Sequence, residues 1–233
     1  MNHNELAVNK IYEDGLVVIE NMIEVSIIKK LTSLSQLYIE RTLKFHNDSG
    51  NLLYNFFRTE DLSYDFLCPE LLNNDKLYDI VSKILGKDFI LREILLFFSK
   101  PDNDVQDLHS DVIDYFEENI KLPPTVVAVH IPIIDFNEAN GGTRFVLKTQ
   151  HEKITNIEDD FSKIVTPEVK IGDCLIRDCR TWHGAGKNTS DNVRPMFVLV
   201  FTKDWLGKKA KVSKANYFLI DKEKRHLVTL YNL

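Results

Sequence analysis

The chain has 233 residues, 44% of them hydrophobic and 27% charged, with a formal charge of −6. That length suits one domain over residues 1–233, burying roughly 70% of its unfolded surface, and the acidic balance argues against the basic stripe that nucleic-acid binding needs. The longest apolar runs, such as Ile94–Phe98, are far below membrane-spanning length, so a chain that does not cross a bilayer is expected.

The opening stretch MNHNELAVNKIYEDG has no basic region followed by an apolar run, so neither a secretory signal nor a transit peptide is expected, and a cytoplasmic location is. Next, DGLVVIENMI reads as a short strand, Leu16 to Ile19. It leads into a stretch where Val25, Ile28, Leu31, Leu34 and Leu37 or Tyr38 recur at helical spacing. A second amphipathic helix is expected from Glu70 to Gly86. The aromatics between the two, in NLLYNFFRTEDLSYDF, either pack helices onto the core or line a pocket.

From DFILREILLFFSKPD onward the grammar changes. The runs TVVAVHIPIID, GGTRFVLK, PEVKIGDCLIRD and VRPMFVLVFTKDW are rich in Val, Ile and Phe and bounded by turn residues, which predicts strands. Helices first, then five or more strands too closely spaced for crossover helices, point to an α+β antiparallel sandwich or barrel with helices on one face. The longest connection, Gln150 to Glu168, reads as a cover over a site. The basic stretch KDWLGKKAKVSK reads as a solvated loop, and the sequon at Asn188 as turn composition. Three cysteines, Cys68, Cys174 and Cys179, form no disulfide framework and suit a reducing compartment.

In QDLHSDV, His109 and Asp111 stand two residues apart after a predicted strand. In extended backbone such residues share a face, so an imidazole nitrogen and a carboxylate oxygen can reach one ion together. His183, beside a distant strand, can supply the third ligand. Two histidines and one carboxylate leave coordination positions open, the arrangement of non-haem iron(II) oxygenases. His3, His46 and His226 have no partner at ligand spacing, while His130 and His151 stay open as candidates. A competing zinc reading takes Cys174, Cys179 and His183 in C-x4-C-x3-H spacing, without an evident fourth ligand.

After the Gly-, Asn- and Ser-rich turn that follows His183, the chain returns as VRPMFVLVF. This carries Arg194 back toward the histidine, pointing inward if the apolar positions alternate with it. An inward guanidinium needs an anion, and the far carboxylate of an iron-chelating 2-oxo acid suits it. The alternative pairs Arg194 with Asp191 or Asp204 at the surface.

The order LHSD, then NEANGGTRFVLKTQHEK, then GDCLIRDCRTWHGAGKNTSDNVRP closely resembles the phytanoyl-CoA dioxygenase family of Fe(II)- and 2-oxoglutarate-dependent oxygenases. The resemblance implies a double-stranded β-helix, a jelly-roll or cupin-like core, with the N-terminal helices packed on one face. It implies His109, Asp111 and His183 as iron ligands, Arg194 on 2-oxoglutarate, and Gln106, Thr143 and His130 as further co-substrate contacts. Where relatives have Pro-Gly-Ser-His this chain has LKTQH, so a reshaped loop is expected. Halogenating relatives carry a small residue at the position of Asp111, so the carboxylate here favours hydroxylation. The implied reaction consumes O2 and 2-oxoglutarate, releases succinate and CO2, is stimulated by ascorbate, and acts on a small-molecule substrate by a monomer or homodimer. Two readings compete: a cupin-like metal-dependent isomerase or hydrolase, and a non-catalytic jelly-roll binding module.

Overall fold

The structure is a computed structural model that describes residues 3–49, 55–57, 69–112, 122–151 and 164–231. Most of the expected cover between Gln150 and Glu168, most of the aromatic stretch before residue 67, and the side chain of His46 lie outside the described residues.

The chain begins with a helix that periodicity did not reveal, α1 (His3–Asp14), held by Ala7 and Ile11, four residues apart and both buried. Gly15 ends it with φ +90, its N–H bonded to the Ile11 carbonyl at 2.9 Å. A β-carbon at Gly15 would also lie 2.3 Å from Thr181 Oγ1, so both the turn and the close approach require glycine. Strand β1 (Leu16–Ile19) follows as expected, then α2 (Val25–Ser49). Ile28 and Leu31 are buried, with Leu34 and Tyr38 packed beside them, whereas Val25 at the helix start is 51% exposed.

After β2 (Asn55–Phe57), the single helix expected from Glu70 proves to be two, α3 (Pro69–Leu72) and α4 (Asp75–Leu85). Asn74 makes the break. Its side chain accepts from the Leu77 N–H at 3.0 Å as an N-cap and donates to the Met22 carbonyl at 2.8 Å. Gly86, with φ +77, closes α4.

Strands β3 (Phe89–Ser99), β4 (Val126–Pro132), β5 (Thr143–Val146), β6 (Ile164–Val165), β7 (Cys174–Asp178), β8 (His183–Ala185) and β9 (Arg194–Lys203) then build the core. A six-stranded antiparallel sheet runs β1-β7-β4-β9-β3-β2, and a three-stranded antiparallel sheet runs β6-β5-β8. Phe145 of β5 packs in one cluster with Leu175, Ala128, Val198 and Met196 of the large sheet, so the two sheets face each other in jelly-roll fashion. The large sheet's other face carries Val127, Val129, Ile176, Leu199 and Phe201 against α1, α2 and α4, which places the helices on one face as expected.

The basic stretch after β9 is exposed at Lys208 and Lys209 but anchored by buried Ala210 and Val212. Val212 belongs to β10 (Lys211–Val212), which pairs in parallel with β11 (Thr229–Leu230) on either side of α5 (Lys214–Leu219). No helix among the described residues is long and apolar enough to cross a membrane.

Because Asn74 both caps α4 and ties it to the Met22 carbonyl, Asn74→Ala should cost about 0.5–2 kcal/mol and lower the melting midpoint by a few degrees. Asn74→Ser, which keeps a capping oxygen, should recover part of that loss. Equal midpoints for the Ala variant and the parent in differential scanning calorimetry would refute the capping role.

Candidate metal and co-substrate site

The site forms where the stretch before His109 docks onto β8. His109 and His183 exchange both backbone hydrogen bonds at 2.9 Å, an isolated bridge that adds a partial fourth strand to the small sheet. Gln106 extends the docking: its N–H bonds the Ala185 carbonyl, and its side-chain oxygen accepts from the Ala185 N–H, both at 3.0 Å. The Asp111 N–H bonds the Cys179 carbonyl at 3.1 Å.

These ties bring the three predicted ligands together. Candidate ligand atoms of His109, Asp111 and His183 all lie within 4.8 Å of one another. His109 Nε2 is 3.6 Å from Asp111 Oδ1, and His183 Nε2 is 3.7 Å from Oδ2. Each imidazole turns its Nδ1 to a carbonyl, Asp107 at 2.9 Å and Thr181 at 3.1 Å. A carbonyl only accepts, so the ring proton sits on Nδ1 and the Nε2 lone pair is left for a metal. Two imidazoles and a carboxylate are a donor set that iron(II) takes.

The electrostatics favour ligation. Burial alone would raise the Asp111 carboxyl, but the Arg177 guanidinium, His109 and His183 hold it well below the usual carboxylate range. It is therefore an anion. Burial and the nearby Arg177 charge push His183 down to about 3, which keeps its ring neutral, while the Asp111 carboxylate beside it raises His109. Protonation of His109 is thus the first step by which acid would compete with a metal.

A cavity of about 670 Å³ opens beside the triad, and Gln106, His130, Thr143 and Arg194 all line it. Arg194 begins β9 and is buried. Its Nη2 donates to the Gly141 carbonyl at 2.8 Å and its Nε to the Asn140 carbonyl at 3.4 Å, and Nη1 is buried without a partner. Burial lowers its pKa to about 10, which leaves it charged at neutral pH. The surface alternative fails, since no carboxylate among the described residues pairs with Arg194. A buried guanidinium with one idle nitrogen fits an anionic ligand entering from the cavity.

The zinc reading fails on topology. Cys174 packs in the helix-side cluster and Cys179 in the site-side cluster, so they face opposite ways from the sheet. His151 is engaged elsewhere, its Nε2 lying 2.5 Å from the Tyr12 carbonyl of α1. Asn188 is fully buried, with its side chain bonded to the Ser99 and Asn192 carbonyls, which disposes of the sequon. One site residue escaped the sequence reading. Arg177 of β7 lines the cavity and donates to both Asp111 and His130.

Comparison with known proteins agrees with this geometry. The Phytanoyl-CoA dioxygenase (PhyH) family matches residues 11–196. The dioxygenase cdmA of Talaromyces verruculosus is 27% identical over 142 residues, covering 56% of this chain and 46% of that protein. The iron/alpha-ketoglutarate-dependent dioxygenase ausO of Aspergillus calidoustus is 30% identical over 146 residues, 57% of this chain and 48% of that protein. The matched region thus spans about half the length of these two relatives. Among solved structures, the non-heme alpha ketoglutarate dependent epimerase SnoN from nogalamycin biosynthesis superimposes with a TM-score of 0.66 at 14% identity, over 86% of this chain and 83% of that one. That likeness is one of fold. With the family match extending over most of its residues, the chain belongs to the phytanoyl-CoA dioxygenase family.

Proposed function

We propose that this chain is an Fe(II)- and 2-oxoglutarate-dependent oxygenase that hydroxylates an aliphatic carbon of a small-molecule metabolite or natural-product intermediate, releasing succinate and CO2. The observation that carries the reading is the pairing of two features on one cavity: a three-ligand cluster that leaves coordination positions open, and a buried Arg194 with an unpartnered nitrogen. A non-catalytic binding module has no use for such a pair.

His109, Asp111 and His183 would hold the iron, and Arg194 would bind the far carboxylate of 2-oxoglutarate, with Thr143, Gln106 and His130 lining the co-substrate's space. When bound, iron and 2-oxoglutarate supply the oxidant for which the protein scaffold has no equivalent of its own. The protein's share is placement. The Nδ1–carbonyl bonds of His109 and His183 fix the rings, and Arg194 at the start of β9 would hold the co-substrate's far carboxylate. Leu95, Phe97, Val126, Val198 and Val200 line the cavity with apolar surface, which suits an aliphatic substrate and limits water around the reacting carbon. The activity is tested by measuring succinate release that depends on iron and ascorbate. Substrate turnover without consumption of 2-oxoglutarate would replace this reading by the isomerase or hydrolase.

Removing either imidazole should remove most metal binding: His109→Ala and His183→Ala are each expected to drop iron(II) from one per chain to a small residue. Metal analysis of anaerobically loaded protein checks this, and full occupancy in both variants sinks the triad. Asp111→Gly should abolish hydroxylation while Arg194 still captures 2-oxoglutarate. Undiminished product would show that the carboxylate is not a ligand.

Arg194→Gln should raise the 2-oxoglutarate requirement about 10- to 100-fold, because a charge-assisted pair in a buried site contributes roughly 1.5–3 kcal/mol. Arg194→Lys should recover only part of it, since an ammonium keeps the charge but not the planar fork. Titration of 2-oxoglutarate into anaerobic iron-loaded protein, followed by metal-to-ligand absorption, measures both. An unchanged midpoint in the Gln variant refutes the clamp.

A further inference from the structure

Neither the three metal ligands nor the co-substrate clamp accounts for Arg177. It lies in β7 directly opposite Ala128 of β4, and His130 is two residues along β4 on the same face. A diagonal cross-strand neighbour is within reach of a long side chain, and the methyl of Ala128 is the smallest side chain that could lie between them. Arg177 Nε donates to His130 Nε2 at 3.0 Å, and its Nη2 donates to Asp111 Oδ2 at 2.5 Å. The side chain is only 6% exposed, and Nη1 is buried without a partner.

A simple counter-ion to a buried carboxylate would not look like this. The Asp111 side chain is 40% exposed, so water can solvate it, while the guanidinium is the more deeply buried partner. Arg177 also engages one carboxylate oxygen, Oδ2, which lies 3.7 Å from His183 Nε2, and leaves Oδ1, 3.6 Å from His109 Nε2, without a guanidinium. Its second bond goes to a histidine. A guanidinium has no acceptor, so His130 Nε2 must carry the lone pair and His130 Nδ1 the proton. That Nδ1 is buried with no hydrogen-bond partner, an idle donor on a ring that lines the cavity.

We infer that Arg177 is a positioning residue of the metal centre, directing Asp111 to ligate through one oxygen and fixing His130 as an Nδ1–H donor toward a ligand in the cavity. The inference rests on the metal-site reading above. Holding Oδ2 keeps the carboxylate from turning both oxygens to the metal, which preserves a coordination position for a chelating co-substrate. Burial and the neighbouring Arg177 charge also keep the His130 ring neutral, in keeping with a fixed tautomer.

The test uses Arg177→Gln and Arg177→Lys with cobalt(II) as the probe, together with nitrogen NMR of the histidine rings in metal-free protein. For the Gln variant the cobalt dissociation constant should rise about 10- to 100-fold, the visible bands should change as the carboxylate chelates, and the His130 signals should move to those of mixed tautomers. The Lys variant should regain part of the affinity without restoring the His130 signals. A folded Gln variant with parental cobalt affinity, bands and His130 signals overturns the role. If Gln prevents a cooperative melt, the Lys variant decides alone, and parental His130 signals there overturn it equally. Failure of the parent itself to bind cobalt overturns the metal reading instead, so the two failures are distinguishable.

Discussion

The reciprocal backbone hydrogen bonds between His109 and His183, each 2.9 Å, join two segments far apart in sequence and bring the imidazoles to a centroid separation of 4.5 Å. The segment from Gln106 to Asp111 holds its place through its ties to β8 and to Cys179. Those ties require the backbones to approach closely at Gly184, where a β-carbon would sit 2.7 Å from the Gln106 carbonyl oxygen. The glycine after His183 is therefore as much a part of the candidate site as the two histidines, because any side chain there would push His109 away from His183.

The two faces of the large sheet divide the work. The helix side is an apolar cluster in which Leu77, Ile80, Ile84, Val127, Val129, Leu199 and their neighbours exclude water. The site side mixes apolar residues with buried Arg177, Arg194, His130 and Thr143. Burying charge is costly, so the stabilising contribution must come from the helix-packed face, at roughly 25 cal/mol per Å² of apolar surface. In a jelly roll one sheet serves both ends at once, since alternate residues of each strand go to opposite faces. Ala128 and His130 face the site while Val127 and Val129 face the helices.

Much of this was legible in the sequence because metal chemistry restricts which residues can serve and how they are spaced. H-x-D in extended backbone, a distant histidine beside glycine and an arginine on the returning strand leave few other arrangements. Arg177 was not legible for a physical reason. In GDCLIRD both faces of the strand are buried, so alternation does not tell which side a charge will face, and nothing local shows that the opposite residue is an alanine. The break at Asn74 hid for another reason: apolar periodicity continues through it, and only the contacts of the asparagine side chain show where one helix stops. Helix α1 is short and held by two buried residues, too few to stand out from a polar terminal stretch.

Charge balance links these parts. Among the described residues the cavity wall carries three guanidinium groups, the buried Arg177 and Arg194 and the exposed Arg92, against the two carboxylates of Asp111 and Glu93, with His130 and His183 held neutral by burial. A divalent metal arriving by itself adds positive charge to a site already positive. A dianion arriving by itself finds Arg194 but no metal to chelate. Together the two add no net charge, and each supplies what the other lacks. For the function proposed, metal and co-substrate should therefore bind with mutual reinforcement, the coupling being equal in both directions by thermodynamic linkage.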